Sequence, residues 1–129
     1  MLQGIETGNK FVRNLAMYTR NQDIIIPPSN VAMNGAETDG QVAAFWITNA
    51  NNDFIDNIAA GAQTSGFWFE LMKRGTRASE YPDLEPKEVP LGVIDGNVVH
   101  SVPSIGFRFY LNGYTPPSLQ TITNLKIYR

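Results

Sequence analysis

The amino-acid sequence predicts an all-β fold, a parallel β-helix (solenoid) with long loops inserted at its corners. The first observation is a repeat: in residues 51–71 and again in residues 91–111, an asparagine stands nine residues before a glycine that opens an aromatic segment. The second is that these segments are short, rich in aromatic and β-branched residues, and bounded by turn formers. The third is that no segment keeps the apolar period of an α-helix over several turns. Coils of this kind bury their apolar faces by stacking on one another.

Four copies of the repeat are aligned on their asparagines, Asn14, Asn57, Asn97 and Asn124. Each asparagine is followed by an aliphatic residue, although the spacing along the chain is irregular. The irregular spacing indicates coils of a larger solenoid that carry inserted loops. Asparagines at matching corners are expected to hydrogen-bond from coil to coil, as stacked amides do in cross-β ladders.

Three segments are predicted as strands, residues 45–48, 66–70 and 106–110. Because side chains alternate along a strand, Phe67 and Phe69 are expected inside the coil, as are Phe107 and Phe109 in the later copy. On the pattern alone an antiparallel β-sandwich, in which the similar segments arose by chance, stays open as an alternative.

Two long segments between the strands are predicted as loops. Residues 21–40 contain a Pro-Pro pair and two glycines, and residues 72–90 combine three prolines with many charges. Both segments hold too many structure breakers for regular elements and are too long for simple turns. Loops of this length often carry function.

The bulk composition indicates a single domain over residues 1–129. A net charge of -2 gives no electrostatic reason to expect nucleic acid as a partner. No apolar run is long enough for membrane insertion, and the first residues lack the core of a signal peptide. The absence of cysteine excludes disulfides and zinc–thiolate sites, and the single histidine excludes a multi-histidine metal site.

Several of these stretches resemble the β-helical region of the cell-migration-inducing hyaluronan-binding family (CEMIP), which includes the related transmembrane hyaluronidase and has bacterial homologues. The similarity is carried by residues 11–15, 44–49, 57–61, 66–69 and 96–101 and extends over nearly the whole chain. The resemblance implies a right-handed coil, an extracellular or secreted location and a polysaccharide partner. Family members are much longer, so we expect this chain to be a fragment of a longer protein.

The outward face of the aromatic strands is the candidate ligand-binding site. Its residues are Trp46, Trp68, Glu70, Arg108 and Tyr110. Aromatic faces stack on the apolar faces of sugar rings, and Arg108 is suited to pair with a uronate carboxylate. The alternative is that Trp68 and Arg108 form a cation–π contact that only holds two coils together.

Three aspartates flank the repeated asparagines, namely Asp53, Asp56 and Asp95. Oxygen-rich clusters bind calcium, so these residues are weak calcium candidates, although no calcium-loop motif is present and no other metal or cofactor is expected. Aspartates at corners commonly satisfy backbone groups instead, and we favour that reading.

The predicted function is a carbohydrate-facing β-helix module of an extracellular glycan-binding or glycan-degrading protein, without a complete catalytic site of its own. The first alternative is a self-contained polysaccharide hydrolase or lyase that uses Asp56, Asp95, His100 and Arg108. The second is a structural self-assembly module, because open coil ends recruit further β-chains. Its partner would be a second copy or the rest of a longer chain.

Overall fold

The computed structural model describes residues 5–20, 42–71, 85–110 and 113–129. The first predicted loop and most of the second lie outside the described residues. Within those ranges no helix is long and apolar enough to cross a membrane. The described elements are the strands β1 (Lys10–Val12), β2 (Leu15–Met17), β3 (Ala43–Ile47), β4 (Asp53–Ile55), β5 (Ile58–Ala60), β6 (Ser65–Glu70), β7 (Ile94–Asp95), β8 (Val98–His100), β9 (Ile105–Tyr110), β10 (Ile122–Thr123) and β11 (Lys126–Tyr128).

The strands form three stacked sheets in which all pairing is parallel. Sheet 1 has the order β1-β4-β7-β10, sheet 2 the order β2-β5-β8-β11, and sheet 3 the order β3-β6-β9. The first coil therefore comprises β1–β3, the second β4–β6, the third β7–β9, and the fourth β10 and β11. This arrangement is consistent with a β-helix, and it shows that the antiparallel sandwich was wrong. The two repeated segments lie side by side and run in the same direction, as predicted.

The core is built from aromatic rings stacked between coils. Phe11 stacks on Phe54 at 4.8 Å between ring centroids, and Phe45 stacks on Phe67 at 4.6 Å. Phe54 and Phe67 are fully buried and meet edge to face at 6.1 Å, which joins sheet 1 to sheet 3. Edge-to-face and offset-stacked pairs add to the stability that area burial alone provides. The predicted inward positions of Phe67 and Phe69 are confirmed.

Sheet 2 fills its part of the core with smaller side chains, which bring it close to sheet 3. A Cβ atom on Gly66 would lie 2.6 Å from a methyl group of Val99, and one on Gly106 would lie 2.5 Å from a methyl group of Ile127. Glycine at these two positions therefore permits the close approach of the two sheets. The pairing of β6 with β9 places Gly66 and Gly106 in register, inside the strands and not at corners of the coil.

The asparagines form the coil-to-coil ladder that the sequence predicts, over three of the four repeats. The backbone N–H and the Nδ2 amide of Asn14 both donate to Oδ1 of Asn57, at 3.0 and 2.9 Å. Asn57 donates in the same way to Oδ1 of Asn97, at 3.0 and 3.1 Å. A second ladder joins Asn9 to Asn52, with both distances at 3.0 Å. The spacing of five residues from Asn9 to Asn14 and from Asn52 to Asn57 would have signalled this second ladder, which ends at the third coil because Gly92 stands there.

The fourth repeat is shifted by one residue from the predicted alignment. The pairing of β10 with β7 and of β11 with β8 places Asn124 in register with Gly96 and Leu125 in register with Asn97. Asn124 has φ 52° and Gly96 has φ 67°, so both occupy a corner that requires the left-handed conformation. Asparagine tolerates that conformation better than most residues. The prediction that Asn124 joins the ladder was therefore wrong, because this asparagine serves the corner.

Candidate functional site

The outward-facing residues of sheet 3 form a continuous row across three coils. The row consists of Trp46, Trp68, Glu70, Arg108 and Tyr110, and we call it the outer row. Trp46 is in register with Trp68, and Trp68 with Arg108. Glu70 is in register with Tyr110. The predicted neighbours of the outer row are thus confirmed.

Aromatic and cationic contacts connect the members of the outer row. The rings of Trp68 and Tyr110 lie 4.4 Å apart between centroids, and those of Trp46 and Trp68 lie 6.2 Å apart. The guanidinium carbon of Arg108 lies 5.5 Å from the ring centroid of Trp68 and 4.9 Å from that of Tyr110. A cation over two aromatic rings is held in place by their negative faces.

Exposure within the outer row is uneven. Trp68 is only 1% exposed and Glu70 only 6%, so neither presents the open platform that an outward position suggests. Trp46 and Tyr110 are half-buried, and Arg108 is exposed. The indole of Trp68 is packed against Trp46, Tyr110 and Arg108, which accounts for part of its burial. Among the outer-row side chains, Arg108 is therefore open to solvent, and Trp46 and Tyr110 are partly so.

Two polar groups in the outer row carry unused hydrogen-bond donors. Nε1 of Trp68 is buried, and no described group accepts a hydrogen bond from it. The Arg108 guanidinium makes no ion pair with any described carboxylate, and its contacts in that part of the chain are those with the two rings. An arginine fixed by aromatic rings keeps its N–H edge available for a planar anion such as a carboxylate.

The aspartates at the corners bind neighbouring backbone and side-chain groups. Oδ1 of Asp53 accepts from the backbone N–H of Val93 at 2.8 Å. Oδ1 of Asp95 accepts from the Thr123 hydroxyl at 2.6 Å and from the Asn124 amide at 2.7 Å. The Thr123 hydroxyl, and after it the Asn124 amide, holds the pKa of Asp95 below its ordinary value. These contacts tie each coil to the next.

Asp56 occupies the same left-handed corner as Gly96, one coil earlier, with φ 55°. A Cβ atom on Gly96 would collide with Oδ1 of Asp56, so the carboxylate covers the glycine of the next coil. Within residues 5–20, 42–71, 85–110 and 113–129, no group of three or more His, Asp or Glu side chains lies close enough together to hold a metal ion.

Three of the four candidate catalytic residues lie on different sheets, and the fourth, Asp56, lies at a corner where its backbone N–H donates to the carbonyl oxygen of Asp95 at 2.9 Å. Asp95 belongs to β7 of sheet 1, His100 to β8 of sheet 2, and Arg108 to β9 of sheet 3, while Asp56 lies at the corner between β4 and β5. The His100 ring stacks on Tyr128 with centroids 5.5 Å apart, and its Nδ1 lies 3.1 Å from the Ser101 hydroxyl. The structure therefore does not bring these four side chains together as an acid–base pair.

Tyr114 closes one end of the aromatic core, a role that the sequence analysis did not predict. Its ring stacks on Phe109 with centroids 4.9 Å apart, and its hydroxyl donates to the carbonyl oxygen of Val89 at 2.8 Å. Burial raises the pKa of Tyr114 to about 12. A shallow cavity of about 360 Å³ lies beside it, between Leu91 and Ile122.

The stacked parallel coils and their asparagine ladders define a protein of the β-helix class. A family model described as the CEMIP beta-helix matches residues 1–107. The chain therefore belongs to the CEMIP β-helix family, as its resemblance to that family implied.

Relatives of the chain include several much larger proteins. The chain is 34% identical over 98 residues to Fibrocystin-L of Mus musculus, and 32% identical over 114 residues to Cell surface hyaluronidase CEMIP2 of Homo sapiens. Each alignment covers 76% of this chain, but only 2% and 8% of the two relatives. Cell migration-inducing and hyaluronan-binding protein of Homo sapiens is 36% identical over 62 residues, which is 46% of this chain and 5% of the relative. The chain thus spans a small part of each relative's length.

Proposed function

We propose that the chain is a carbohydrate-facing β-helix module of an extracellular glycan-binding or glycan-degrading protein. Its ligand is an acidic polysaccharide of the hyaluronan type, bound along the outer row. The observation that carries the proposal is the exposed Arg108 guanidinium, which lies over the rings of Trp68 and Tyr110 and has no carboxylate partner among the described residues.

The chemistry of the outer row suits alternating neutral and acidic sugars. The half-buried rings of Trp46 and Tyr110 offer apolar area for the C–H faces of sugar rings. Arg108 offers two parallel N–H groups to a uronate carboxylate, and such charge-assisted pairs are stronger than neutral hydrogen bonds. The strand spacing in a parallel sheet, about 4.8 Å, places these groups within reach of neighbouring sugar residues.

The names of the relatives support both the ligand and the location. One relative is called a cell surface hyaluronidase, and another is called hyaluronan-binding. Hyaluronan is a polymer of the extracellular matrix, so a polysaccharide partner implies that the module works outside the cell.

The proposal includes a right-handed sense for the coil. Each sheet receives its next strand through a crossover connection between parallel neighbours, and such connections are right-handed in about 98% of cases. The resemblance to the CEMIP family implies the same hand. A crystal structure at a resolution that traces the three sheets tests it directly, and a left-handed trace would overturn it.

The binding proposal is tested by titrating hyaluronan oligosaccharides into the protein and into Arg108→Ala, with calorimetry as the readout. We expect Arg108→Ala to weaken binding at least ten-fold. Arg129→Ala is the matched control, because Arg129 is an exposed arginine that lies away from the outer row and donates a hydrogen bond to the carbonyl oxygen of Pro103. This variant should bind hyaluronan oligosaccharides like the parent. Equal affinities for all three proteins would overturn the proposal.

Catalysis is tested on the same material by following polymer length and reducing ends. Because Asp95, His100 and Arg108 lie on three different sheets, we expect binding without cleavage of hyaluronan, chondroitin or pectin. Cleavage that is lost in His100→Ala would favour the hydrolase or lyase alternative instead.

A further inference from the structure

Trp68 lies at the centre of the outer row, away from both ends of the coil stack. Its strand, β6, is paired on one edge with β3 and on the other with β9. The indole contacts the ring of Trp46 in the earlier coil and the guanidinium of Arg108 in the later coil, and it packs closely on the ring of Tyr110. It is therefore enclosed by side chains of the outer row itself, and it is only 1% exposed.

The enclosed indole has an unpaired hydrogen-bond donor. Its Nε1–H is buried, and no described group accepts a hydrogen bond from it. A tryptophan N–H can only donate, and buried indoles usually have an acceptor. By contrast, the buried side-chain amides of Asn52, Asn57 and Asn97 each donate to a backbone carbonyl oxygen. A buried donor without a partner lowers stability, so its presence within the candidate site indicates an acceptor that a ligand supplies.

Arg108, which covers the indole from the later coil, is held there only weakly. Its side chain is exposed, and among the described residues it has no carboxylate partner. Its guanidinium carbon lies 5.5 Å from the ring centroid of Trp68 and 4.9 Å from that of Tyr110, and exposed cation–π contacts of this kind are weak. A bidentate pair with a carboxylate is stronger. A uronate that binds Arg108 is therefore able to draw the guanidinium away from the indole.

We infer that Nε1 of Trp68 is a specificity-determining donor of the outer row. It donates to the acetamido carbonyl oxygen of the N-acetylhexosamine next to the uronate that Arg108 binds. The inference rests on the proposed function, since it requires an acidic polysaccharide along the outer row. It adds the second sugar of the repeating unit and the protein atom that recognises this sugar.

The acetamido group suits this position in two ways. Its carbonyl oxygen carries no hydrogen, whereas a sugar hydroxyl in the same place brings its own O–H donor into the enclosed site. Its methyl group is apolar and fits beside the half-buried rings of Trp46 and Tyr110. A polymer without acetamido groups leaves Nε1 unpaired, and a site whose polar group is left unpaired discriminates against such a ligand.

The ¹⁵N-labelled chain provides the first test, because its two tryptophans give two indole N–H signals in an NMR spectrum. Trp46→Phe removes one signal and assigns the other to Trp68. The probe is a hyaluronan hexasaccharide, and the control ligand is the matched synthetic oligosaccharide with glucose in place of N-acetylglucosamine. We expect the hexasaccharide, and not the glucose oligosaccharide, to move the Trp68 indole proton downfield as its hydrogen bond forms. Equal movement with both ligands would overturn the inference.

Calorimetry on Trp68→Phe provides the second test, because phenylalanine keeps an aromatic ring but has no N–H. We expect the parent to bind the hyaluronan hexasaccharide about five- to twenty-fold more tightly than the glucose oligosaccharide. This preference should vanish in Trp68→Phe. Trp46→Phe is the matched control, since it makes the same exchange one coil earlier and should keep the preference. A preference that survives in Trp68→Phe would overturn the inference.

The inference and the proposed function fail in different ways. Binding of both oligosaccharides with equal affinity, and without movement of the Trp68 signal, would overturn the role of Nε1 and leave Arg108 as the group that binds the polysaccharide. Absence of binding to either oligosaccharide would overturn the proposed function, and the inference with it.

Discussion

The side chain of Asn57 is fully buried, and its amide and backbone N–H both donate to Oδ1 of Asn97, at 3.1 and 3.0 Å. Its own Oδ1 accepts two hydrogen bonds from Asn14, and its Nδ2 also donates to the carbonyl oxygen of Phe11 at 2.8 Å. One side chain therefore links three consecutive coils. A buried network of this kind is stable only while every member is satisfied.

The first prediction concerns this link. Asn57→Ala leaves the Phe11 carbonyl, the Asn14 donors and part of Asn97 without partners, and unsatisfied buried groups are costly. We expect the free energy of unfolding to fall by about 2–4 kcal/mol, measured by urea denaturation. Asn14→Ala is the control, because Asn14 is exposed, and it should cost about 1 kcal/mol or less. Similar losses for the two variants would show that burial does not strengthen the ladder.

The second prediction concerns the left-handed corner at Gly96. Gly96→Ala imposes a side chain on a residue with φ 67° and drives its Cβ into the Asp56 carboxylate. We expect a loss of about 1–2 kcal/mol, of which roughly 1 kcal/mol is the cost of the backbone conformation and the rest is the displacement of the exposed Asp56 carboxylate. Gly113→Ala is the matched control, since Gly113 has φ 71° but no described atom lies within 4 Å of the added Cβ. If the two variants lose the same stability, the Asp56 contact contributes nothing.

The third prediction concerns acid. The Thr123 hydroxyl and the Asn124 amide lower the pKa of Asp95 in the folded state. The ionised carboxylate therefore stabilises the fourth coil at pH values above 3.8, the ordinary pKa of aspartate. That stabilisation is lost as the pH falls from about 4 through the lowered pKa. We expect hydrogen exchange in β10 and β11 to accelerate over that range, before sheet 3 is affected. Asp95→Asn should remove this pH dependence, and unchanged exchange in the parent would contradict the assignment.

The fourth prediction concerns alkali. Burial raises the pKa of Tyr114 to about 12, above its ordinary value of 10.0, so the neutral phenol is favoured in the folded state. The stability that depends on Tyr114 is present below pH 10 and declines as the pH rises towards 12. Thermal denaturation between pH 9 and pH 11 should show a steeper decline for the parent than for Tyr114→Phe, which cannot ionise. Parallel curves for the two proteins would contradict the prediction.

The sequence predicted the parallel stacking and the inward phenylalanines because both follow from local chemistry. Phe67 and Phe107 are read from strand alternation, and Asn57 and Asn97 from a repeated corner. The position of Asn124 was misread because an asparagine can satisfy a ladder or a left-handed corner, and only the pairing of β10 and β11 distinguishes these roles.

The sequence also could not predict how deeply the side chains of the outer row are buried. Alternation places Trp68 on the outward face, and the register places it beside Arg108, as predicted. Whether an outward ring is exposed depends on side chains from other coils, and here Trp46 and Tyr110 pack against it. The sequence also could not show that Asp95, His100 and Arg108 lie on three sheets, because sheet membership depends on which strands pair.

The fifth prediction separates the two roles of Arg108, the contact between coils and the recognition of an anion. Arg108→Lys keeps a positive charge near Trp68 and Tyr110 but loses the planar pair of N–H groups that fits a carboxylate. We expect its free energy of unfolding to stay within about 0.5 kcal/mol of the parent, since exposed cation–π contacts contribute little. Its affinity for hyaluronan oligosaccharides should fall five- to twenty-fold, and the remaining binding should weaken as salt is added.

The carboxyl-reduced oligosaccharide is the control ligand, because the parent and Arg108→Lys should bind it equally. If Arg108→Lys unfolds more easily but binds the acidic ligand as tightly as the parent, Arg108 holds the coils together and does not read the carboxylate.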